Sequence, residues 1–455
     1  MSIKVKIWGQ DVGYMTWSDE KQTAAFTYDK DFIQSGPNIS PLIMNKIYKK
    51  TYEYEENRNT KCFKGLPSVF ADSLPDNYGN ELIKNYWEKI GRTDANPLDY
   101  LAYIGERGMG ALEYEPSIKF EDSNSLININ DLTEIVNNIL DDRKKFINKL
   151  KEGDKTYLDI LKIGTSAGGA KPKAIIAYNK KTKEVRSGQI TAPEGFGYYL
   201  LKFDSYLKDG ELAGDGLDTK NKIIHGATNL EYAYHLAAKD CGINMTECFL
   251  LKEKNNSHFV TKRFDRKENG EKIHMLTLSG IANLNRDEPH SYDDLFLICR
   301  KLNLDSNTTT EVFRRMVFNV IFRNHDDHAK NHSFLMDKDS KWKLAPAYDL
   351  SYSYNPTGQF TNKHQMSING KKDNIDYTDL MKVAERNDVK NPKEIMQKVI
   401  ESAKKWKKFS EQAEVNNAIG IFVESNLVNI KIPIKNEQKP LNNKPTIKFK
   451  RKPKL

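Results

Sequence analysis

An α+β architecture divided among several domains is what this sequence predicts, on three observations. Its 455 residues exceed what one hydrophobic core usually organises. Runs that alternate apolar and polar residues, such as Ser2-Ile3-Lys4-Val5-Lys6-Ile7-Trp8, are interspersed with runs of helical period, such as Thr310–Arg323. Finally, residues 310–349 read as helix, polar loop, hairpin and then a single Asp, the order used by the helical lobe of two-lobed kinase-like folds. The expected fold class is therefore α+β: a two-lobed protein-kinase-like fold with an additional N-terminal α/β subdomain.

Residues 1–117 form the N-terminal unit in this reading. A strand opens it, Gln10-Asp11-Val12-Gly13 is expected to turn, and Phe26-Thr27-Tyr28-Asp29 resumes the strand pattern. A helix is expected over Asn80–Gly91, between the landmarks Leu74-Pro75-Asp76 and Gly110-Ala111-Leu112. No evident nucleophile or base lies here, so a structural or docking role is expected.

Residues 118–265 are assigned to a smaller lobe carrying a phosphate loop and a hinge. Ile127–Leu150 reads as a helical, lysine-rich linker. The small residues from Gly164 to Ala170, including Gly168 and Gly169, let backbone N–H groups approach phosphates, and Lys171 and Lys173 add charge. This loop fits neither common glycine-rich nucleotide motif, and taken alone it reads better as a glycine-rich turn in a hairpin. The strand Gly197–Asp204 carries Lys202, a placement suited to the α/β-phosphates. Glu231, at the start of a helix beginning near Asn229, could pair with Lys202, although acids favour first helical turns in any case. Ser205–Lys222 could be a mobile lid. The strand Phe259–Arg266 places Lys262 to Phe264 where an adenine-binding hinge would fall.

The third unit, 266–430, is expected to be mostly helical. Val312, Phe313, Met316, Val317, Val320 and Ile321 mark an amphipathic helix that delivers Asn324-His325-Asp326-Asp327-His328-Ala329-Lys330-Asn331. The strands Ser333–Met336 and Trp342–Leu344 flank a turn, and Asp349 follows Pro346. The D-x-x-x-x-N…D spacing has a chemical reason. One carboxylate orients and deprotonates a hydroxyl, while an amide oxygen and a second carboxylate hold Mg²⁺ against a triphosphate. Asp327, beside Asp326, leaves the base ambiguous on paper, and the spacing to Asn331 favours Asp326.

Composition narrows the class. No apolar run reaches the roughly 18 residues a membrane span needs, and the N-terminus lacks a signal-peptide core. Cys62, Cys241, Cys248 and Cys299 show no metal-ligand spacing, so reduced thiols in the cytoplasm are expected. Of the net charge of +9, the stretch Lys431–Leu455 carries +8 through nine basic residues and Glu437. With four prolines in it, 431–455 is expected to be a disordered basic tail.

The motifs Ser166–Lys173, Leu201-Lys202-Phe203-Asp204, Lys262-Arg263-Phe264-Asp265-Arg266, Asn324–Asn331 and Pro346-Ala347-Tyr348-Asp349, in this order, resemble the HipA-type serine/threonine kinases of bacterial toxin–antitoxin systems. The resemblance extends to the N-terminal landmarks and spans most of residues 1–420. It implies ATP and Mg²⁺ as cofactors and Asp326 as catalytic base, with Asn331 and Asp349 as metal ligands. It further implies nucleotide contacts from Gly168, Gly169, Ala170, Lys171, Lys173, Lys202, Lys262, Phe264, His328, Lys330, Tyr348 and the two metal ligands. Ser166 falls at the position such kinases autophosphorylate, where added negative charge would repel ATP. The family's protein substrates imply a serine or threonine in the translation machinery, with aminoacyl-tRNA synthetases the expected class. Its usual partner implies a helix-turn-helix antitoxin through which DNA is contacted. Lys171-Pro172 departs from the family's Gln-Glu, which bears on the phosphate loop rather than the catalytic centre.

Three other readings compete. A small-molecule hydroxyl kinase of the aminoglycoside or choline type uses the same D-x4-N…D arrangement. The density of His325, Asp326, Asp327, His328 and His332 could instead serve a metal-dependent phosphohydrolase, though no second such cluster appears. A non-catalytic relative working only with a DNA-binding partner would not need base, metal ligands and lysine together.

Overall fold

Strand alternation decides the first sheet. β1 (Ser2–Ile7) turns Ile3, Val5 and Ile7 inward, each essentially buried, and leaves the lysines between them at the surface. The computed structural model describes residues 2–48, 50–53, 61–75, 79–80, 83–84, 87–88, 91–117, 126–141, 173–189, 191–204, 226–254, 256–286 and 288–433. Ser166, Gly168, Gly169, Ala170, Lys171, the expected lid at 205–222 and the tail from 434 onward lie outside the described residues, as do parts of the expected helix at 80–91. Residues 80, 83–84 and 87–88 of that stretch are helical, and Gly91 is a turn at φ 79°.

β1 is followed by β2 (Gln10–Ser18), β3 (Thr23–Tyr28), helix α1 (Lys30–Ser35), β4 (Thr51–Tyr52), α2 (Ser68–Ala71), α3 (Pro97–Ile104) and β5 (Leu112–Glu115). The strands form an antiparallel sheet in the order β4-β3-β2-β1-β5. The turn expected at Gln10–Gly13 is corrected: Ile7 pairs with Gln10, and the chain reverses at Trp8 and Gly9, with φ of 48° and 80°. Positive φ at both central residues is what a tight hairpin needs, and glycine supplies the second without strain. Residues 10–13 are strand, with a register shift opposite Val5 and Lys6.

Helix α4 (Ile129–Asp141) corrects the expectation of a linker at its described residues. Ile129, Leu132 and Val136, spaced at three and four residues, are buried in one cluster with Ile176, Tyr199, Leu201 and Val260. Those partners belong to a second antiparallel sheet made of β6 (Lys173–Tyr178), β7 (Val185–Ser187), β8 (Gly197–Lys202), β9 (Cys248–Glu253) and β10 (Asn256–Lys262). Its order is β7-β6-β8-β10-β9, and α5 (Ala227–Asp240) is inserted between β8 and β9.

The helical lobe continues through β11 (His274–Thr277), α6 (Leu278–Ala282), β12 (His290–Ser291), α7 (Tyr292–Lys301), α8 (Ser306–Ile321), β13 (Ser333–Met336), β14 (Trp342–Leu344) and β15 (Met366–Ser367). Four helices close it: α9 (Tyr377–Arg386), α10 (Pro392–Ala403), α11 (Trp406–Gln412) and α12 (Asn417–Asn426). The whole is an α+β, two-lobed kinase-like fold with an added N-terminal unit. No helix among the described residues is long and apolar enough to cross a membrane.

The N-terminal unit and the helical lobe share one buried core, running from Ile3 through Phe70 and Leu276 to Phe318 and Trp406. Polar contacts reinforce the seam. The Asp72 carboxylate accepts from Thr277 N at 2.6 Å and Thr277 Oγ1 at 2.8 Å, and Ser68 Oγ donates to Gly280 O at 2.8 Å. A Cβ on Gly280 would lie 2.2 Å from Asp72 Oδ2, and that oxygen cannot retreat without losing its bond to Thr277. Gly280→Ala is therefore expected to destabilise the fold by about 1–3 kcal/mol, measured as a lower midpoint in urea.

Candidate active site

Helix α8 and its cap set the loop at 324–331. Asp305 caps the start of the helix by accepting from Thr308 N at 2.9 Å. At the far end Arg323 adopts φ 54°, and Asn324 N donates back to Asn319 O at 2.9 Å. This left-handed residue stops the helix and turns the loop outward. A buried chain of hydrogen bonds then fixes it: Asn324 Nδ2 to Asn319 Oδ1, Asn319 Nδ2 to Tyr292 Oη, and Tyr292 Oη to Asp327 Oδ2, each at 2.9 Å.

The adjacent acids have opposite surroundings. Asp327 is buried and also accepts from His364 Nδ1 at 2.9 Å and Gln365 N at 2.8 Å. Burial alone would raise its pKa, but His364 and these donors outweigh it and hold the carboxyl below its usual range. Asp326 keeps 52% of its side chain open and has His328 Nε2 at 3.6 Å. Its backbone is clamped, since Asp326 N donates to Ser353 Oγ at 2.9 Å and Asn331 Nδ2 donates to Asp326 O at 2.7 Å. Partial loss of water, followed by the like charges of Asp349 and Asp327, raises its pKa, against the opposing pull of His328 and Arg286.

Opposite this loop, Lys202 at the end of β8 pairs with Glu231 Oε1 on α5 at 2.5 Å and with Asp349 Oδ1. Burial disfavours its charge, but the two carboxylates outweigh that and hold it firmly protonated. Asp349, at φ 57°, is kept ionised against the cost of burial by Lys202 and then by Lys173. Lys173 lies directly across the sheet from Lys202. The Lys202–Glu231 pair thus forms as the sequence allowed.

Tyr348, just before Asp349, donates to Lys330 O at 2.7 Å, and its ring lies 5.6 Å from that of Phe264. Lys262 ends β10 with its ammonium on Glu268. The structure therefore links Asp326, His328, Asn331, Asp349, Lys202 and Lys173 through contacts and electrostatic reach, with the Phe264 and Tyr348 rings packed at a tilt beside them. Sequence reasoning missed Ser353, which holds Asp326 by its backbone, and Arg286, whose charge reaches the carboxylate; no local pattern marks either.

The donor set is suited to Mg²⁺. Asn331 has its amide nitrogen tied to the loop, leaving the amide oxygen for a cation, and Asp349 supplies a hard carboxylate. Among the described residues no three His, Cys, Asp or Glu side chains converge as a transition-metal cluster. His325 instead donates to Thr361 O at 3.1 Å and packs its ring 4.2 Å from that of His364.

Comparison with known proteins agrees with this layout. Residues 3–115 match the HipA N-terminal domain and residues 165–407 the HipA-like C-terminal domain. A candidate kinase of Haemophilus influenzae is 29% identical over 135 residues, which are 26% of this chain and 39% of that protein. A candidate kinase of Sinorhizobium fredii is 27% identical over 139 residues, 28% of this chain and 34% of its own length. The chain thus spans little more than a third of these curated relatives. The toxin–antitoxin complex of HipA, HipB and operator DNA from Shewanella oneidensis contains a chain of similar fold, with a TM-score of 0.64 and 18% identity over 93% of this chain and 94% of that one.

Proposed function

The chain belongs to the HipA family, and on that premise we propose that it is an ATP- and Mg²⁺-dependent serine/threonine protein kinase, the toxin of a toxin–antitoxin pair. One observation carries the reading: an open carboxylate at 326 sits within electrostatic reach of Asp349, which is itself held by a buried lysine backed by Glu231. Phosphoryl-transfer sites need this division of labour, because the protein contributes positioning and charge rather than covalent chemistry.

In this mechanism Asp326 accepts a hydrogen bond from the substrate hydroxyl and takes its proton as the oxygen attacks. Its clamped backbone keeps that oxygen in register. Asn331 and Asp349 would hold Mg²⁺, and Lys202, Lys173 and the loop Gly168–Lys171 would face the phosphates. His328 and Lys330 would approach the nucleotide, with Lys262, Phe264 and Tyr348 around its base. Bound Mg²⁺-ATP supplies the phosphoryl group and neutralises its developing charge.

The expected target is a translation-machinery protein such as an aminoacyl-tRNA synthetase, in the cytoplasm. The expected partner is a helix-turn-helix antitoxin that carries the DNA contacts; the Shewanella structure, with its HipB and operator DNA, supports that choice. Ser166 would be the autophosphorylated residue. Incubation with Mg²⁺-ATP, followed by intact-mass measurement and peptide mapping, tests the proposal. A gain of one phosphate on the 164–173 peptide that Ser166→Ala abolishes is expected. Failure to label either itself or any protein of a lysate would overturn the kinase reading, and labelled metabolites alone would favour the small-molecule alternative.

A further inference from the structure

Beside the catalytic loop, on the N-terminal unit, a cavity of about 310 Å³ is lined by Lys64, Asn80, Lys84, Ala95, Pro97 and Tyr100. Its chief cation is placed by backbone geometry. Lys64 has φ 53° and Gly65 φ 75°. A Cβ on Gly65 would meet Gln22 O at 2.2 Å, so this bend tolerates no side chain at 65 and fixes how Lys64 leaves the chain. The Lys64 ammonium lies 5.8 Å from the centre of the Tyr100 ring. The side chain is exposed at the surface and among the described residues has no carboxylate at ion-pair distance; partial loss of water, then the like charge of Lys330, makes it less basic than usual. Lys84 faces Glu88 at 3.7 Å.

Lys330 carries this positive field to the catalytic loop, four residues beyond Asp326. A pocket lined by two lysines, with no acid among its described lining residues, offers a site for a single anionic group. Its dimensions suit one side chain, whose aliphatic part would lie along Tyr100 and Pro97. Glu88 and Asp99, whose charges act on Tyr100, disfavour an extended polyanion such as a nucleic-acid backbone.

We propose that this pocket receives an acidic side chain of the protein substrate, so that the N-terminal unit selects which sequences present a hydroxyl to Asp326. The assignment rests on the kinase reading, and its test is separable from it. The carboxylate of Asp or Glu and the phosphate of a phosphorylated residue share this chemistry, and the probes distinguish them.

Fluorescein-labelled serine peptides flanked by Glu, by phosphoserine or by Lys, together with a single-stranded DNA of matched charge, are titrated against the full-length protein and its Lys64→Glu/Lys84→Glu variant at physiological salt. Binding of a fluorescent ATP analogue and thermal unfolding are followed in parallel. The wild type is expected to prefer one of the acidic peptides over the Lys peptide. The variant is expected to lose about tenfold in affinity for it, with nucleotide binding and unfolding temperature unchanged. The basic tail is common to both proteins, so the difference isolates the pocket. Equal binding of the acidic peptides by both proteins, or a loss confined to DNA, overturns the proposal and leaves the kinase reading standing. Loss of acidic-peptide binding on charge reversal, with no nucleotide binding by either protein, would uphold the pocket and sink the kinase reading.

Discussion

Asp326→Asn is expected to slow phosphoryl transfer by about 10²–10⁴-fold while leaving binding of a fluorescent ATP analogue intact. The substitution keeps the size of the side chain and removes the atom that accepts the proton. Its backbone clamps, to Ser353 Oγ and from Asn331 Nδ2, use main-chain atoms and survive. Asp327→Asn makes a sharp contrast. That carboxylate accepts from Tyr292, His364 and Gln365 inside the protein, and an amide would turn donors toward donors. A stability loss of about 1–3 kcal/mol is expected there, read as a shift in the urea midpoint. Turnover abolished only by the change at 327, at unchanged stability, would reverse the base assignment. Because enclosure and neighbouring carboxylates raise the Asp326 pKa, and the base works only when ionised, activity is expected to rise with pH through a limb above the ordinary aspartate value.

Asp265→Ala is expected to destabilise the protein by about 3–5 kcal/mol, measured by chemical denaturation at neutral pH. Asp265 is fully buried and accepts from Arg263 Nε at 2.9 Å, Arg263 Nη2 at 2.6 Å and Arg266 Nη1 at 2.7 Å. It also accepts from Gly110 N at 2.7 Å, while Arg266 donates to Gly108 O and Gly110 O, both at 2.9 Å. Removing the acid leaves two guanidinium groups buried without their counter-ion. The pH dependence follows from the direction of its shift. Burial would raise the pKa, but Arg263 and then Arg266 hold it well below the ordinary value. The Asp265 contribution is therefore fully present above the unfolded-state value of about 3.9 and is lost as the pH falls toward the depressed folded value. In Asp265→Ala that part of the acid sensitivity should vanish.

The parts legible from sequence were those whose signal is local. Period and spacing sufficed for α8, the β13–β14 hairpin, β6, β8 and Lys202 at the end of its strand, because each is written within about 15 residues. What escaped was encoded by partners far along the chain. Asp265 looked like the tail of a strand, and only the Gly110 N–H that donates to it from far along the chain reveals it as a clamp. Asp326 and Asp327 are indistinguishable as letters, and His364 separates them from beyond the hairpin. Helix α4 passed for a linker because its lysine-rich continuation hid Ile129, Leu132 and Val136. The turn at Trp8-Gly9 was misplaced because an aromatic residue at positive φ is rarely expected.

The two buried clusters give the molecule an unequal mechanical partition. The first sheet and the helical lobe share one interior and so form a single packed body. The β6–β10 sheet with α4 has an apolar interior of its own, separate from the larger one. Lys202 extends from the smaller sheet, while Asp349 and the helix that carries Glu231 pack on the larger core. A single ammonium thus ties the smaller interior to the larger.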